Sequence, residues 1–475
     1  MDFLSSIFYI CLAWTLIQTF LMFTRSKAIP RKLPPGPKPF PVIGNLFDLA
    51  AVKPYNSIIE LAQIYGPIMS LKLGQVTTVI ISSVHTAKQV LQTHDQLLSN
   101  RTVPDALRVH KHDEYGLPWM PISTQWRSLR KICNGKLFAN KILDANQAIR
   151  YDKVQALLAE IRQSSLIGEA VDIGTTASKT ALCLLSNTIF REFKETTRNI
   201  STVAGKPNLA DLFPLLRKID PQGIRHLLAV HFGKLTDIFD RMISERLQLR
   251  KVSGYITNND MLDVLLNSSE ENSEDLFVGG TDTTSTTLEW AMAELLHSPD
   301  VLSKAKVELE QVIGKGNPVE ESDVTRLPYL QAIIKETFRL HPPLPFLLPR
   351  KAEADVEIDG YIIPKGAQVL VSAWAIGRDP STWENANSFM PERFLGSEID
   401  VKGRNFELIP FGGGRRICPG MPLAMRMLQL MLGSLIHNFD WKLEDGVKIE
   451  DISMEGKFGI THHIGNPVRA DPIPI

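Results

Sequence analysis

Apolar residues follow two spacings along this chain and, at its start, no spacing at all. Phe3 to Phe23 contains no charged side chain, and about 21 helical residues rising ~1.5 Å each reach ~31 Å, the thickness of a bilayer's hydrocarbon. Further on, Met69, Leu71 and Leu73 alternate with Ile68, Ser70 and Lys72, and Gly74-Gln75 precedes Thr77 to Ile81, which predicts a hairpin. A second β patch runs through Val356, Ile358, Tyr361 to Ile363 and Val369 to Val371, punctuated by Gly360, Pro364 and Gly366. Helical spacing covers Tyr151 to Ile161, Ile224 to Leu249, Thr284 to Leu296, Leu302 to Ile313, Leu330 to Leu340 and Leu423 to His437. The expected fold class is mostly α with small β-sheets in a single body, preceded by an N-terminal membrane anchor helix.

Arg25, Lys27, Arg31 and Lys32 follow the leading apolar run at once, whereas only Asp2 precedes it. That asymmetry of cations puts the remaining chain on the cytosolic side. No small-residue cleavage site ends the run, so an uncleaved transmembrane anchor over 1–24 is expected rather than a signal peptide. Pro30, Pro34, Pro35, Pro37, Pro39 and Pro41 forbid a continuing helix and make 25–41 a stiff, basic, proline-rich hinge. Beyond it no repeat, low-complexity tract or separating linker interrupts 42–475, which is expected to be one domain.

Composition narrows the function. The 475 residues hold 52 basic and 52 acidic side chains, and this zero net charge excludes a nucleic-acid binder that relies on bulk positive charge. Apolar residues at 44% exclude a disordered chain. Cys11, Cys133, Cys183 and Cys418 are too few for a disulfide framework, and no C-x-x-C pair suggests zinc. There is no G-x-S-x-G, H-E-x-x-H or phosphate-loop pattern, and the adjacent His462-His463 is a poor metal pair that reads as a solvated or hydrogen-bonded loop.

Candidate chemistry concentrates in Pro410-Phe411-Gly412-Gly413-Gly414-Arg415-Arg416-Ile417-Cys418-Pro419-Gly420, which leads into an apolar-periodic helix. Consecutive glycines let a backbone approach a flat object or take φ > 0, and a cysteine at a helix N-terminus has its thiolate favoured by the dipole. An inert buried thiol satisfies the same residues, and the loop alone leaves both readings open. Three more patterns are equally two-sided. Glu336 and Arg339 lie three apart, as in a surface ion pair. Trp126 and Arg130 lie one turn apart, so that N–H and guanidinium can share a carboxylate, or else pack and solvate separately. Gly279-Gly280-Thr281-Asp282-Thr283-Thr284 can kink a helix or cap one.

Phe411, Gly412, Gly414, Arg416, Cys418 and Gly420 match F-G-x-G-x-R-x-C-x-G at every fixed position, and the chain so resembles the cytochrome P-450 superfamily. The resemblance implies haem b with Cys418 as its proximal iron ligand, whose electron push favours O–O cleavage. It implies that Glu336, Arg339 and Arg393, the last in Phe389-Met390-Pro391-Glu392-Arg393-Phe394, form a buried structural cluster. It further implies that Trp126, Arg130, Arg416 and Arg350 contact the haem propionates, and that Asp282 and Thr283 form a proton relay on the distal helix. Leu98-Ser99-Asn100-Arg101-Thr102, Thr124 to Lys131 and Gly205 to Asp211 resemble plant membrane-bound members, notably the terpenoid-oxidising group that includes geraniol 8-hydroxylase.

Two departures stand out. Phe190 runs directly into Arg191-Glu192-Phe193-Lys194, and Asn272 to Asp275 meets Leu276 without the apolar turns that form the first half of the distal helix in this family. Three expectations follow. The first is a monooxygenase that hydroxylates a small lipophilic substrate, a terpenoid such as geraniol. It would use O2 and NADPH electrons from a flavoprotein reductase on the endoplasmic reticulum, docked near Arg415 and Arg426. The chain has no nicotinamide fingerprint of its own. The second is a reductase-independent isomerase or dehydratase of hydroperoxides, against which Asp282-Thr283 argues. The third is a haem-poor, inactive remnant acting as a membrane partner because the distal helix is short. The stretches Arg101 to Pro121 and Pro342 to Leu348 are expected at the substrate pocket.

Overall fold

The computed structural model describes residues 32–49, 54–186, 191–252, 262–263, 266, 274–444, 448, 451–452, 454–457 and 459–475. The anchor over 1–24, Cys11, Phe190 and Asn272-Ser273 lie outside these residues. Among the described residues no helix is long and apolar enough to cross a membrane.

The alternating segment folds as expected. β1 (Ile68–Leu73) pairs antiparallel with β2 (Val76–Ile81) across Gly74, whose φ of +59° suits a two-residue turn. Next come β3 (Asn100–Arg101), β4 (Val171–Asp172) and β5 (Arg350–Lys351). β6 (Val356–Ile358) and β7 (Tyr361–Ile363) close over Asp359 and Gly360, both at positive φ, the backbone that a type I′ hairpin turn demands. β8 (Gln368–Val371) pairs parallel with β2, giving a five-stranded sheet in the order β1-β2-β8-β5-β3. β9 (Phe439–Leu443) and β12 (Arg469–Pro474) join β4 in a second sheet, and β10 (Gly456–Lys457) pairs with β11 (His463–Ile464).

Helices make up the rest. Those that bear on the site are α1 (Thr124–Ile132), α2 (Gln147–Ile167), α3 (Ile173–Ser186), α4 (Arg191–Ala204), α5 (Ile224–Arg250), α6 (Glu274–His297), α7 (Pro299–Ile313), α8 (Pro328–Leu340) and α9 (Met421–Asn438). Each of the six expected helical patterns lies within one of them. Prolines at the first turn of α7, α8 and α9 fit positions whose N–H has no partner in the helix. One apolar cluster ties α2, α3, α6, α7, α8 and α9 together: Trp290 on α6, Leu330 and Ile333 on α8, and Met431 and Leu432 on α9 are fully buried in it. Each such side chain contributes roughly 1.5–3 kcal/mol. α6 begins at Glu274, ten residues before the periodicity that predicts it, because Gly279 and Gly280 are carried within the helix and not before it. Its 24 residues span ~36 Å.

Candidate active site

The cysteine loop lies between the apolar core and the start of α9. Cys418 N–H donates to the Phe411 carbonyl at 3.0 Å, folding the loop back on itself, and Gly414 to Arg416 form a single 3-10 turn. Gly412 (φ +71°) and Gly414 (φ +65°) take left-handed backbone. At Gly414 the constraint is doubled, since a Cβ there would sit 2.0 Å from the Leu91 carbonyl oxygen. Phe411 meets Phe338 of α8 edge to face at 5.2 Å.

Burial pushes the Cys418 thiol up from its ordinary value, opposed by hydrogen bonds from the backbone N–H of Gly420 and Met421 and by the charge of Arg130. These donors at the start of α9 are what a thiolate ligand requires. Cys418 nevertheless keeps accessible area, whereas Cys133 and Cys183 are buried. Cys418 is therefore not packed against protein on every side and can take a further partner.

Around the loop four guanidinium groups gather. Arg416, on the loop, donates to the carbonyls of Ser99 (2.9 Å), Met120 (2.7 Å) and Leu117 (3.3 Å), with its plane 4.7 Å from the Trp126 ring. Arg130, from α1, donates to the Ile417 carbonyl beside Cys418. Arg350, from β5, reaches Asp95 at 3.1 Å and the Gly413 carbonyl at 3.3 Å. Arg101, from the neighbouring β3, donates to the carbonyls of Leu348 (2.8 Å) and Pro118 (3.0 Å). Burial lowers the pKa of all four, that of Arg416 to about 10; the charges of Arg350 and Arg416 lower Arg101 further, and those of Arg350 and Arg130 lower Arg416 further. Asp95 is the carboxylate beside Arg101, Arg350 and Arg416. An excess of positive charge, buried at Arg350 and Arg416 and half-buried at Arg101 and Arg130, beside a ligand-ready sulfur fits haem b, which brings an iron and two propionates.

Trp126 takes part through its ring face, because its N–H is occupied by the Leu117 carbonyl at 3.2 Å. The sequence pointed to Trp126, Arg130, Arg350 and Arg416. It did not single out Asp95, a lone acid in a polar stretch, or Arg101 as a member of the charge cluster.

Behind the loop, Glu336 and Arg339 join through two 2.7 Å hydrogen bonds, and Arg393 Nε donates to the same carboxylate at 3.1 Å. Arg339 also donates to the carbonyls of Gly377, Ala386 and Ser388, and Met390 N–H to Glu336. The surface-pair alternative does not apply, because Glu336 and Arg339 are fully buried.

On α6 the expected relay residues diverge. Thr283 donates its hydroxyl to the Gly279 carbonyl at 2.5 Å. The buried Asp282 carboxylate instead accepts from Ser201 of α4 at 3.0 Å and has His463 of β11 at 3.4 Å, an ion-pair approach. His463 Nδ1 lies 2.9 Å from the Thr286 hydroxyl. A polar cleft lined by Asp172, Thr175, Thr197, Arg198, Glu289 and His463 reaches Asp282. His462 is not solvated: it is buried and stacked on Trp290, ring centroids 5.2 Å apart.

A cytochrome P450 family model matches residues 34–466. The chain is 51% identical to geraniol 8-hydroxylase of Catharanthus roseus, with 99% of each protein covered. It is 48% identical to geranylhydroquinone 3''-hydroxylase of Arnebia euchroma, covering 97% of this chain and 99% of that one. It is also 48% identical to drimenol monooxygenase of Persicaria hydropiper, covering 98% and 97%. The first alignment runs over 496 positions against a chain of 475 residues, so at least 21 positions of that relative have no counterpart here.

Proposed function

The chain belongs to the cytochrome P450 family and is a monooxygenase with haem b as its cofactor, and on that premise we propose that it hydroxylates a small lipophilic terpenoid, with geraniol the first substrate to test. The relatives named for geraniol, geranylhydroquinone and drimenol support the terpenoid class. The observation that carries the reading is Cys418 at the start of α9, with the N–H groups of Gly420 and Met421 on its sulfur and four arginines around its loop.

When bound, haem with a thiolate ligand supplies activation of O2, one atom entering the substrate and the other leaving as water. Cys418 is the proposed iron ligand, and Gly420 and Met421 hold negative charge on its sulfur through their N–H groups. Phe411, Gly412 and Gly414 shape the loop, while Arg416, Arg350, Arg130 and Arg101, backed by the ring of Trp126, neutralise the propionates. Glu336, Arg339 and Arg393 fix the segment behind the loop. Asp282 is the proposed point of proton entry, its Oδ2 held by Ser201 and His463 at the polar cleft, and Thr283, the next position on α6, is the proposed hydroxyl donor. The electrons come from NADPH through a separate flavoprotein reductase. Arg426 is neutralised by Asp144 at 2.7 Å and Glu321 at 3.1 Å, while Arg415, half exposed beside Asp95, is the more available docking cation.

The membrane reading rests on the apolar run before Arg25 and on exposed apolar side chains. Phe40, on a turn closed by its pairing with Gly44, meets the exposed Phe47 of the next 3-10 turn edge to face, and the first turn hydrogen-bonds to Gly74 through Ile43. Beside Gly74, Gln75 N–H donates to the Leu212 carbonyl, near the exposed Leu215 and Ile219. We place the catalytic domain on the cytosolic side of the endoplasmic reticulum. Release of the full chain from microsomes by alkaline carbonate would refute the anchor.

The test of function is turnover. Full-length protein, reductase and NADPH are incubated with terpene alcohols and phenolics; an NADPH-dependent oxygenated terpenoid is expected. Product from phenolics alone would move the substrate class, and no product from either panel would overturn the proposal.

A further inference from the structure

Asp95 occupies the one-turn helix Asp95–Leu98, far in sequence from the cysteine loop, yet it bonds to that loop directly. Its Oδ2 accepts the backbone N–H of Arg415 at 3.0 Å, and Arg415 Nε approaches the same oxygen at 3.3 Å. Its Oδ1 accepts Arg350 Nη1 at 3.1 Å. Arg350 in turn donates to the Gly413 carbonyl at 3.3 Å and the Leu98 carbonyl at 3.2 Å. The bonds close a ring from Asp95 to Arg350, Gly413, Gly414, Arg415 and back. Gly414 sits inside it, and a Cβ there would lie 2.9 Å from the Asp95 carboxyl carbon.

We propose that Asp95 is a positioning residue that clamps the Cys418 loop against Arg350, and that it is the counter-charge that sets the reduction potential of the site. The inference rests on the assignment of Cys418 as the iron ligand. Asp95 is buried among Arg101, Arg350 and Arg416, where charges interact more strongly than in water. With its charge removed, the surroundings of the iron become more positive and the reduced state is favoured. With its bonds removed, the turn Gly414–Arg416 loses the anchor that keeps the sulfur in register.

The test uses full-length holoenzyme, read by equilibrium redox titration and by the carbon monoxide difference spectrum of the reduced protein. Asp95→Asn, which keeps shape but not charge, is expected to move the potential in the positive direction. Asp95→Glu, which keeps charge on a longer arm, is expected to leave the potential in place and to convert severalfold faster to a non-thiolate carbon monoxide species. Asp263→Asn removes a different buried carboxylate, paired with Arg246 and Arg250; it is expected to lower stability without moving the potential. Wild-type potential in Asp95→Asn overturns the charge role, and wild-type conversion in Asp95→Glu overturns the clamp. If Asp95→Asn does not accumulate with haem, the conversion rate of Asp95→Glu decides alone. A wild-type protein without the thiolate-type band would instead refute the Cys418 assignment.

Discussion

Glu336 and Arg339 face each other through two parallel hydrogen bonds, Nε to Oε2 and Nη2 to Oε1, each 2.7 Å long and both fully buried. Removing the carboxylate leaves two guanidinium groups, Arg339 and Arg393, beside each other with no anion between them. Glu336→Ala is therefore expected to destabilise the protein by roughly 3–5 kcal/mol, measured by chemical unfolding of the haem-loaded enzyme. A loss below about 1 kcal/mol, the range of an exposed pair, would show that the cluster is not what holds this segment.

Cys418→Ser separates the two readings of the loop. Serine fits the space and keeps the bond from its N–H to Phe411, but its hydroxyl is a poor iron ligand. The variant is expected to fold with little change in secondary structure by circular dichroism and to lose the thiolate-type carbon monoxide band and NADPH-dependent turnover. Retention of that band would assign the ligand elsewhere.

The two left-handed glycines of the loop should respond unequally. At Gly412 a Cβ would meet only Leu347 Cδ1 at 3.8 Å, so Gly412→Ala costs about 1 kcal/mol of backbone strain. At Gly414 the Cβ would collide with the Leu91 carbonyl oxygen at 2.0 Å, and no flexible side chain can yield there. Haem incorporation on expression should fall severalfold more in Gly414→Ala than in Gly412→Ala. Equal incorporation would contradict the close approach.

Glu294 and His341 form a buried pair, Oε1 to Nε2 at 2.6 Å. Burial pushes the Glu294 carboxyl up from 4.5 to about 7. Burial, with the charges of Arg378 and Arg339, holds His341 well below 6.5. The folded protein thus binds the Glu294 proton more tightly than the unfolded chain does. The stability from that proton is complete below pH 4.5 and is lost as pH rises through about 7, up to about 3 kcal/mol. His341 acts in the opposite sense, adding stability as pH climbs toward 6.5. Glu294→Gln removes the first effect alone, so its stability relative to wild type should increase between about pH 5 and about pH 8. Denaturant midpoints that differ by the same amount at both pH values would refute the assignment.

Legibility followed range along the chain. Helices with a sustained apolar stripe, such as Leu330 to Leu340, were readable because burial of one face imposes the spacing. Glu336 and Arg339 were readable because three residues on a helix bring side chains together, but Arg393 joins them only through the fold, and a resemblance had to supply it. β12 was not readable, since Pro472 and Pro474 argue against a strand. They are tolerated because β4 pairs only with Arg469 and Ala470, leaving the proline end of β12 paired on one side alone. Asp95 carried no signal: its two functions exist only after the cysteine loop and β5 have arrived beside it. The divergence of Asp282 and Thr283 was hidden for the same reason, since Ser201 and His463, which meet at the Asp282 carboxylate, come from α4 and β11, far apart in sequence.

The parallel pairing of β2 with β8 has a consequence for biogenesis. Thr78 meets Gln368 across 290 positions, so during synthesis β2 presents an open edge until most of the polypeptide has left the ribosome. Strands left waiting in that way are prone to pair with the wrong chain, and so distant a closure is slow. The yield of this protein in a foreign host should therefore depend on how fast translation runs and on how well chaperones shield that early hairpin.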